Sequence, residues 1–484
     1  MKKAGQVCGS VFFLYALIVV PLFFKNKYFD MLQAKGNILI LGLIITLCFM
    51  AGVLTAGLIK RSLPEFKLKL VDIGLIVLAA AGICGAIISG SFSESLWGMN
   101  GWGVGLFAIF GLCAAIIFLP RIFEYRHNLL IPVLLVNCFI GIIAILHAAG
   151  VDALNLHQSI KSTQFFSYIS TLGNANWVSG YEVMTLSLFA LLFINGSGRF
   201  NLTNALYILA IVPGVMTALS CGSDSLLLGA FAVVLVSVPF ILANASRLSR
   251  FGIFILIVGV CLASYRFIPA FSRKMTTYGG VFERLFDIPV IAAVLVLGVA
   301  ISFFGKFWDN TSLKVRRVTS LVIVMLMAAA AVSYIVYTVF NFSDGWGTDR
   351  GFIWKCCLKE YAKLPLIQKL FGVGPELMYN YMQEAAEYFQ MSLTSAHSEP
   401  VGTLLGSGII GLAGWLLAWA GVIISYFKNK VWNREYLVFF APLAGYFAQS
   451  LVNSPMAANA AVLAAIFVCY RAFAHKEGQT SEKF

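Results

Sequence analysis

Apolar runs of about twenty residues recur along the whole chain, separated by short polar stretches, and each is long enough to cross a bilayer as a helix. The pattern predicts about fourteen such spans. They cover residues 8–24, 36–59, 70–90, 103–120, 130–149, 178–195, 204–220, 224–243, 249–266, 288–305, 318–340, 402–426, 436–452 and 456–473. Only Cys221-Gly222-Ser223 separates the seventh run from the eighth. The fold class is therefore an all-α polytopic membrane protein. One stretch breaks the pattern: Asn341 to Pro400 is mostly polar and lies between the eleventh and twelfth runs. The chain divides into a membrane domain over 1–340, a large loop over 341–400 expected to hold the active site, C-terminal membrane helices over 401–473 and a short polar tail over 474–484.

Composition agrees: 60% of the 484 residues are hydrophobic, 11% are charged and mean hydropathy is +0.88, more apolar surface than a soluble fold needs. The net charge of +13 suggests nucleic acid until the charges are placed on the spans. With Lys2 and Lys3 inside, the cytoplasmic side holds 21 of the 34 Lys and Arg and 7 of the 21 acids, a balance of +14. The outer side holds 13 basic and 14 acidic residues, a balance of −1. That asymmetry follows the positive-inside rule. It puts both termini in the cytoplasm and the 341–400 loop outside, and it removes the case for nucleic acid.

The ten cysteines lie mostly singly in apolar runs, where they act as small hydrophobes, and the adjacent Cys356-Cys357 suggests no disulfide framework. His147 and His157 have no partner at metal-ligand spacing and read as structural. Asp344 and Asp349 could suggest a divalent-cation site, but two acids five apart in a glycine-rich turn are ordinary loop chemistry. The expectation is no metal and no cofactor.

Polar groups gather at the outer ends. Glu182 stands out, because an acid inside a span usually faces a cavity or a partner. With the Gly173-Asn174-Ala175-Asn176-Trp177 entry before it, it is either part of a capped helix start or the floor of an outward cavity. A second outer loop carries Arg266, Arg273, Lys274 and Arg284, cations that either meet lipid headgroups or bind a phosphorylated ligand. In the large loop, Gly351 to Lys363 and Glu376 to Gln390 read as short helices, with Pro365 and the Gly372-Val373-Gly374-Pro375 turn between them. Arg350, beside a helix start, suits an anion such as phosphate. His397, two residues from Glu399, reads as functional.

Together these segments resemble the O-antigen ligase and O-antigen polymerase superfamily of bacterial membrane glycosyltransferases. Asp349-Arg350-Gly351-Phe352-Ile353-Trp354 looks like its Arg-x-x-x-Trp segment, and Gly372-Val373-Gly374 is similar to the glycine turn that follows. His397-Ser398-Glu399-Pro400, running into Leu404-Leu405-Gly406-Ser407-Gly408, resembles its His-Asn-x-x-Leu segment and the helix start behind it. Gly173-Asn174-Ala175-Asn176 is like its Gly-Asn-x-Asn entry to a middle helix. Two positions depart from the pattern. Ser398 replaces the usual Asn, and Ser220-Cys221-Gly222-Ser223-Asp224-Ser225 lacks the Ser-Arg pair common before the eighth helix.

The resemblance implies an enzyme of the bacterial inner membrane. It would transfer a glycan from an undecaprenyl-diphosphate carrier to an acceptor hydroxyl on a glycan, lipid or protein, as ligase or as polymerase. In that chemistry His397 is general base or acceptor-positioning group, with Glu399 as its orienter. Arg350 clamps the diphosphate, assisted by one or more of Arg273, Lys274 and Arg284. Trp354 either stacks on a sugar or anchors at the interface, and Asn174, Asn176 and Glu182 shape the cavity floor. A transporter or flippase of lipid-linked glycans is the alternative; it would place ionisable groups near the midplane and show internal repeats.

Overall fold

The computed structural model describes residues 2–481 apart from 64–65, 99–102, 197–200, 276–277, 279, 390–392 and 429–436; the side chains of Arg273, Ala385, Phe389 and residues 474–481 also lie outside the description. Among the described residues, 11 helices are long and apolar enough to cross a membrane, and three shorter apolar helices, Leu106–Arg121, Leu437–Ser450 and Ala457–Phe473, complete the fourteen expected. The protein is an all-α multi-pass membrane protein. Its only strands among the described residues are the two-residue pair Tyr168–Ile169 and Gly173–Asn174, antiparallel.

Helix-helix contact rests on small residues, as it must where lipid removes the hydrophobic drive for association. Leu70–Ile88 packs along Glu399–Lys428. A Cβ on Gly74 would stand 2.3 Å from the Ala418 nitrogen, and one on Gly414 would stand 2.6 Å from that of Leu78. Ala245–Phe267 approaches Ile288–Phe304 in the same way, at Gly252 and Gly298. Ala175–Asn195 is buried along nearly its whole length and forms the centre of the bundle. Leu313–Phe340 is at the opposite extreme, with Ser320 alone buried, and faces lipid.

Leu202–Cys221 and Asp224–Ile241 are separate helices, because Gly222 takes a left-handed φ of 59° and ends the first. The large loop departs from its expected form in three places. Its first helix runs Trp346–Lys363, beginning five residues before the expected start at Gly351, with a left-handed break over Gly347, Thr348 and Asp349. A further helix, Leu366–Phe371, precedes the glycine turn. The expected helix from Glu376 to Gln390 is instead a 3-10 turn, Met378–Tyr381, followed by Gln383–Phe389, because Glu376 itself has φ of 59° and cannot start a helix. At the C-terminus the backbone stays helical to Ser481, so the polar tail extends the last helix.

The twelfth span also differs. Gly408, with φ of 69°, breaks the Glu399–Lys428 helix. Glu399 accepts a hydrogen bond from Trp415 Nε1 at 3.4 Å. In a straight helix residues that far apart in sequence would be separated by about 24 Å, so Glu399–Ser407 folds back beside the segment that follows. Gly372 and Gly374 close the bend. Val373 and Gly374 donate their N–H groups to Leu405 and Gly406 carbonyls, each at 3.0 Å.

Candidate active site

Arg350 lies just past the left-handed turn that opens the loop helix. Its Nη2 donates to Asn453 Oδ1 at 3.1 Å, and Nη1 donates to the Gly347 carbonyl at 2.5 Å. Asn453 is buried in the short connection between Leu437–Ser450 and the last helix. Its Nδ2 donates to Ser225 Oγ at 2.8 Å. Ser225 in turn shares a hydrogen bond with Ser223 at 2.8 Å, and Ser223 donates to Asn176 Oδ1 at 2.8 Å. Gln449 Nε2 joins through the Ser179 hydroxyl at 3.3 Å. One polar chain therefore ties together three segments that the sequence singled out: the Arg350 turn, the Asn174–Asn176 entry and the Ser223–Ser225 turn. Asn174 caps the central helix, its side chain accepting from the Asn176 N–H at 2.9 Å.

His397 reaches the same connection by a second route. It is left-handed, with φ of 49°, and its N–H donates to Ser395 Oγ at 3.1 Å; Ser395 hydrogen-bonds Ser454. Trp354 donates from Nε1 to the Ala396 carbonyl at 3.0 Å while its ring packs on Phe342 and Trp346. Trp354 thus braces the backbone next to His397. Burial, then the charge of the Arg350 guanidinium, pushes the His397 imidazole down to about 4, so the ring is neutral near pH 7. Burial also lowers Arg350, opposed by the negative charge of Asp224.

Glu399 does not orient His397. Its two carboxylate oxygens accept from Tyr446 Oη and Trp415 Nε1. The fold-back at Gly408 turns the carboxyl away from the histidine and toward the bundle. There it fronts a cavity of ≈ 240 Å³ that is apolar over most of its wall, with Leu112, Ile116, Trp419, Leu463 and Phe467 among its lining. Glu376 fronts the same cavity. Its Oε1 accepts from the Val104 N–H at 3.1 Å, its Oε2 is buried without a hydrogen-bond partner among the described residues, and burial pushes the carboxyl up to about 8.

The assisting cations separate clearly. Lys274 is buried, lies 5.5 Å from the Phe166 ring centre, and is pushed down to about 8 by burial while nearby Cys221 opposes the shift. Cys221 directly precedes the Ser223–Ser225 turn, so Lys274 stands beside the position that lacks the expected arginine. Arg284 is exposed on the short turn Arg284–Phe286. The side chain of Arg273 lies outside the described residues. Glu182 is fully buried and does not line the cavity. It accepts from Thr185 at 3.4 Å and faces Gly214 and Asn137 between helices. The expected role as a cavity floor does not fit this position.

His147 and His157 are not partnerless. Their ring nitrogens and Asp152 come within 4.8 Å of one another, a spacing that could hold a metal ion. The hydrogen bonds oppose that use. Ser170 N–H donates to His147 Nδ1 at 3.1 Å, so the neutral ring carries its proton on Nε2, facing Asp152 Oδ1 at 3.4 Å. A metal at Nε2 would need an imidazolate. The cluster instead fastens the 150–170 loop: Asp152 accepts the Leu156 and His157 N–H groups at 2.8 and 2.7 Å.

The residues missed by sequence reasoning are Asn453, Ser454 and Gln449, with Glu376 and Tyr446 at the cavity. The available signal was a polar cluster, Gln449-Ser450 and Asn453-Ser454, between two apolar runs, which reads as an ordinary connection. No curated protein and no solved structure matches the chain. Residues 289–416 match the family model described as O-antigen ligase. That segment contains Arg350, Trp354, the Gly372–Gly374 turn, His397 and Glu399, and the match supports the likeness of this part of the chain to the O-antigen ligase superfamily.

Proposed function

We propose that the protein transfers a glycan from a polyprenyl-diphosphate carrier, undecaprenyl in bacteria, to an acceptor hydroxyl at the outer face of the cytoplasmic membrane. One observation carries the reading. Arg350 and His397 are tethered to the same Asn453-Ser454 connection, one through Asn453 and the other through Ser395 and Ser454. A cation for a departing diphosphate and a neutral imidazole for an incoming hydroxyl are thereby held at one connection, near enough for the guanidinium charge to lower the imidazole. The excess of cations on the opposite side of the membrane supports the outward orientation, with both termini in the cytoplasm.

In this mechanism the acceptor oxygen attacks the anomeric carbon as the bond from that carbon to the diphosphate oxygen breaks. The hydroxyl proton passes to the free nitrogen of His397. Negative charge grows on the leaving lipid diphosphate and is met by Arg350, with Lys274 assisting. Binding of the anionic donor would offset the Arg350 charge that holds His397 down, so the base strengthens when the donor is present. The apolar cavity beneath the His397 segment suits the hydrocarbon part of a lipid-linked substrate.

Reconstitution with lipid-diphosphate glycan and a panel of acceptors tests the reading. Wild type should form a glycosidic bond, and Arg350→Ala and His397→Ala should insert normally but lose transfer. Undiminished product from both variants rules the site out. Comparing a foreign acceptor with a second copy of the donor glycan separates ligase from polymerase.

A further inference from the structure

At the end of the bundle remote from His397, a cationic notch lies between the start of the Leu70–Ile88 helix, the end of Glu399–Lys428 and the last helix. Lys69, Ser425, Tyr470 and Arg471 line it. Behind it, the buried carboxylate of Asp72 pairs with Arg121 at 2.9 Å and with Arg471 at 2.6 Å. Among the described residues, one buried carboxylate thus stands against two buried cations, Arg121 and Arg471, with the exposed Lys69 beside them, an excess of positive charge at the notch. Uncompensated charge in such a place is unfavourable, so an anion from outside would stabilise it.

The surroundings point to where that anion comes from. Leu70, Ile73 and Ile76 form an exposed stripe running away from the notch, and Ile424 and Phe427 form another on the neighbouring helix. Gly74, Gly414 and Gly421 hold the two helices so close that the stripes flank one shallow seam. A cationic notch continuous with a lipid-facing apolar seam has the two-part chemistry of a phospholipid: phosphate at the notch, acyl chain along the seam.

We propose that this notch binds the headgroup phosphate of an anionic phospholipid, with Lys69 and Arg471 as its cations. The site is independent of glycan transfer.

The test measures the Tm of delipidated full-length protein reconstituted in vesicles of phosphatidylglycerol or phosphatidylcholine. Wild type should gain several degrees in phosphatidylglycerol over phosphatidylcholine, because a ligand that binds only the folded state raises Tm. Lys69→Gln should lose part of that gain and Lys69→Glu nearly all of it; Lys69 is exposed, and both variants should match wild type in phosphatidylcholine. Equal Tm in the two lipids, or an undiminished gain in Lys69→Glu, overturns the proposal. A gain reproduced in phosphatidylcholine by inorganic phosphate alone overturns the lipid as source and leaves a soluble anion.

Discussion

Arg350 Nη2 donates to Asn453 Oδ1 at 3.1 Å across 103 positions of sequence. The partner is a carboxamide, so the guanidinium is oriented without its charge being cancelled. A carboxylate in that place would hold the arginine as firmly and compete with any anionic substrate.

Asn453→Ala should therefore lower transfer by roughly tenfold to a hundredfold in kcat/KM, the size of a lost hydrogen bond to a charged group. Asn453→Asp restores an acceptor but adds a charge, and we expect it to raise KM for the donor rather than rescue activity. Steady-state kinetics with varied donor separate these effects. Wild-type KM in Asn453→Asp would show that Arg350 does not meet the diphosphate.

The two candidate proton-handling residues part company in the folded chain. Glu399 is held by Tyr446 and Trp415, not by His397. His397→Gln should abolish transfer with the protein still folded, whereas Glu399→Gln, which keeps an oxygen for Tyr446, should leave a substantial fraction. Equal losses in both variants, measured on samples of matched Tm, would restore Glu399 as the orienter of His397.

The histidine also predicts a pH dependence. Its folded value is held near 4 by burial and then by Arg350, against an ordinary 6.5. Between those values the unfolded chain binds more protons than the native one, so stability rises with pH across the window and is lost as pH falls through the folded value. Thermal unfolding between pH 4 and 7 should show a shallower dependence in His397→Gln than in wild type. Identical slopes would mean that the imidazole is not held neutral.

Gly408 is the point on which the fold-back turns. A Cβ there would sit 2.3 Å from the Leu370 carbonyl oxygen, at a φ of 69°. Gly408→Ala should destabilise the protein by about 1–3 kcal/mol from backbone strain alone, more with the clash, and should lower transfer because Glu399 and the His397 segment lose their seat. Gly402→Ala, in open space on the same helix, is the matched control and should be near wild type in Tm.

Zinc should not stabilise the His147, Asp152 and His157 cluster, because the Ser170 N–H occupies His147 Nδ1. Tm with added zinc and with chelator checks this. A zinc-dependent rise that His157→Gln removes would show that the loop rearranges to bind metal.

The sequence by itself determined the spans, the late polar loop and the residues that carry charge in it, because lipid imposes a length and an apolarity that any reading frame of twenty residues reveals. Arg350, Trp354 and His397 were legible for the same reason: polar groups are scarce enough in such a chain to be noticed singly. Tertiary structure alone decided what those residues touch. That Asn453 seats Arg350, that Trp354 braces Ala396 and that Glu399 turns to Tyr446 follow from helices meeting across long separations and from a bend at one glycine. Local sequence carries no record of such meetings, since hydrogen bonds between distant segments are fixed by packing rather than by neighbours in the chain.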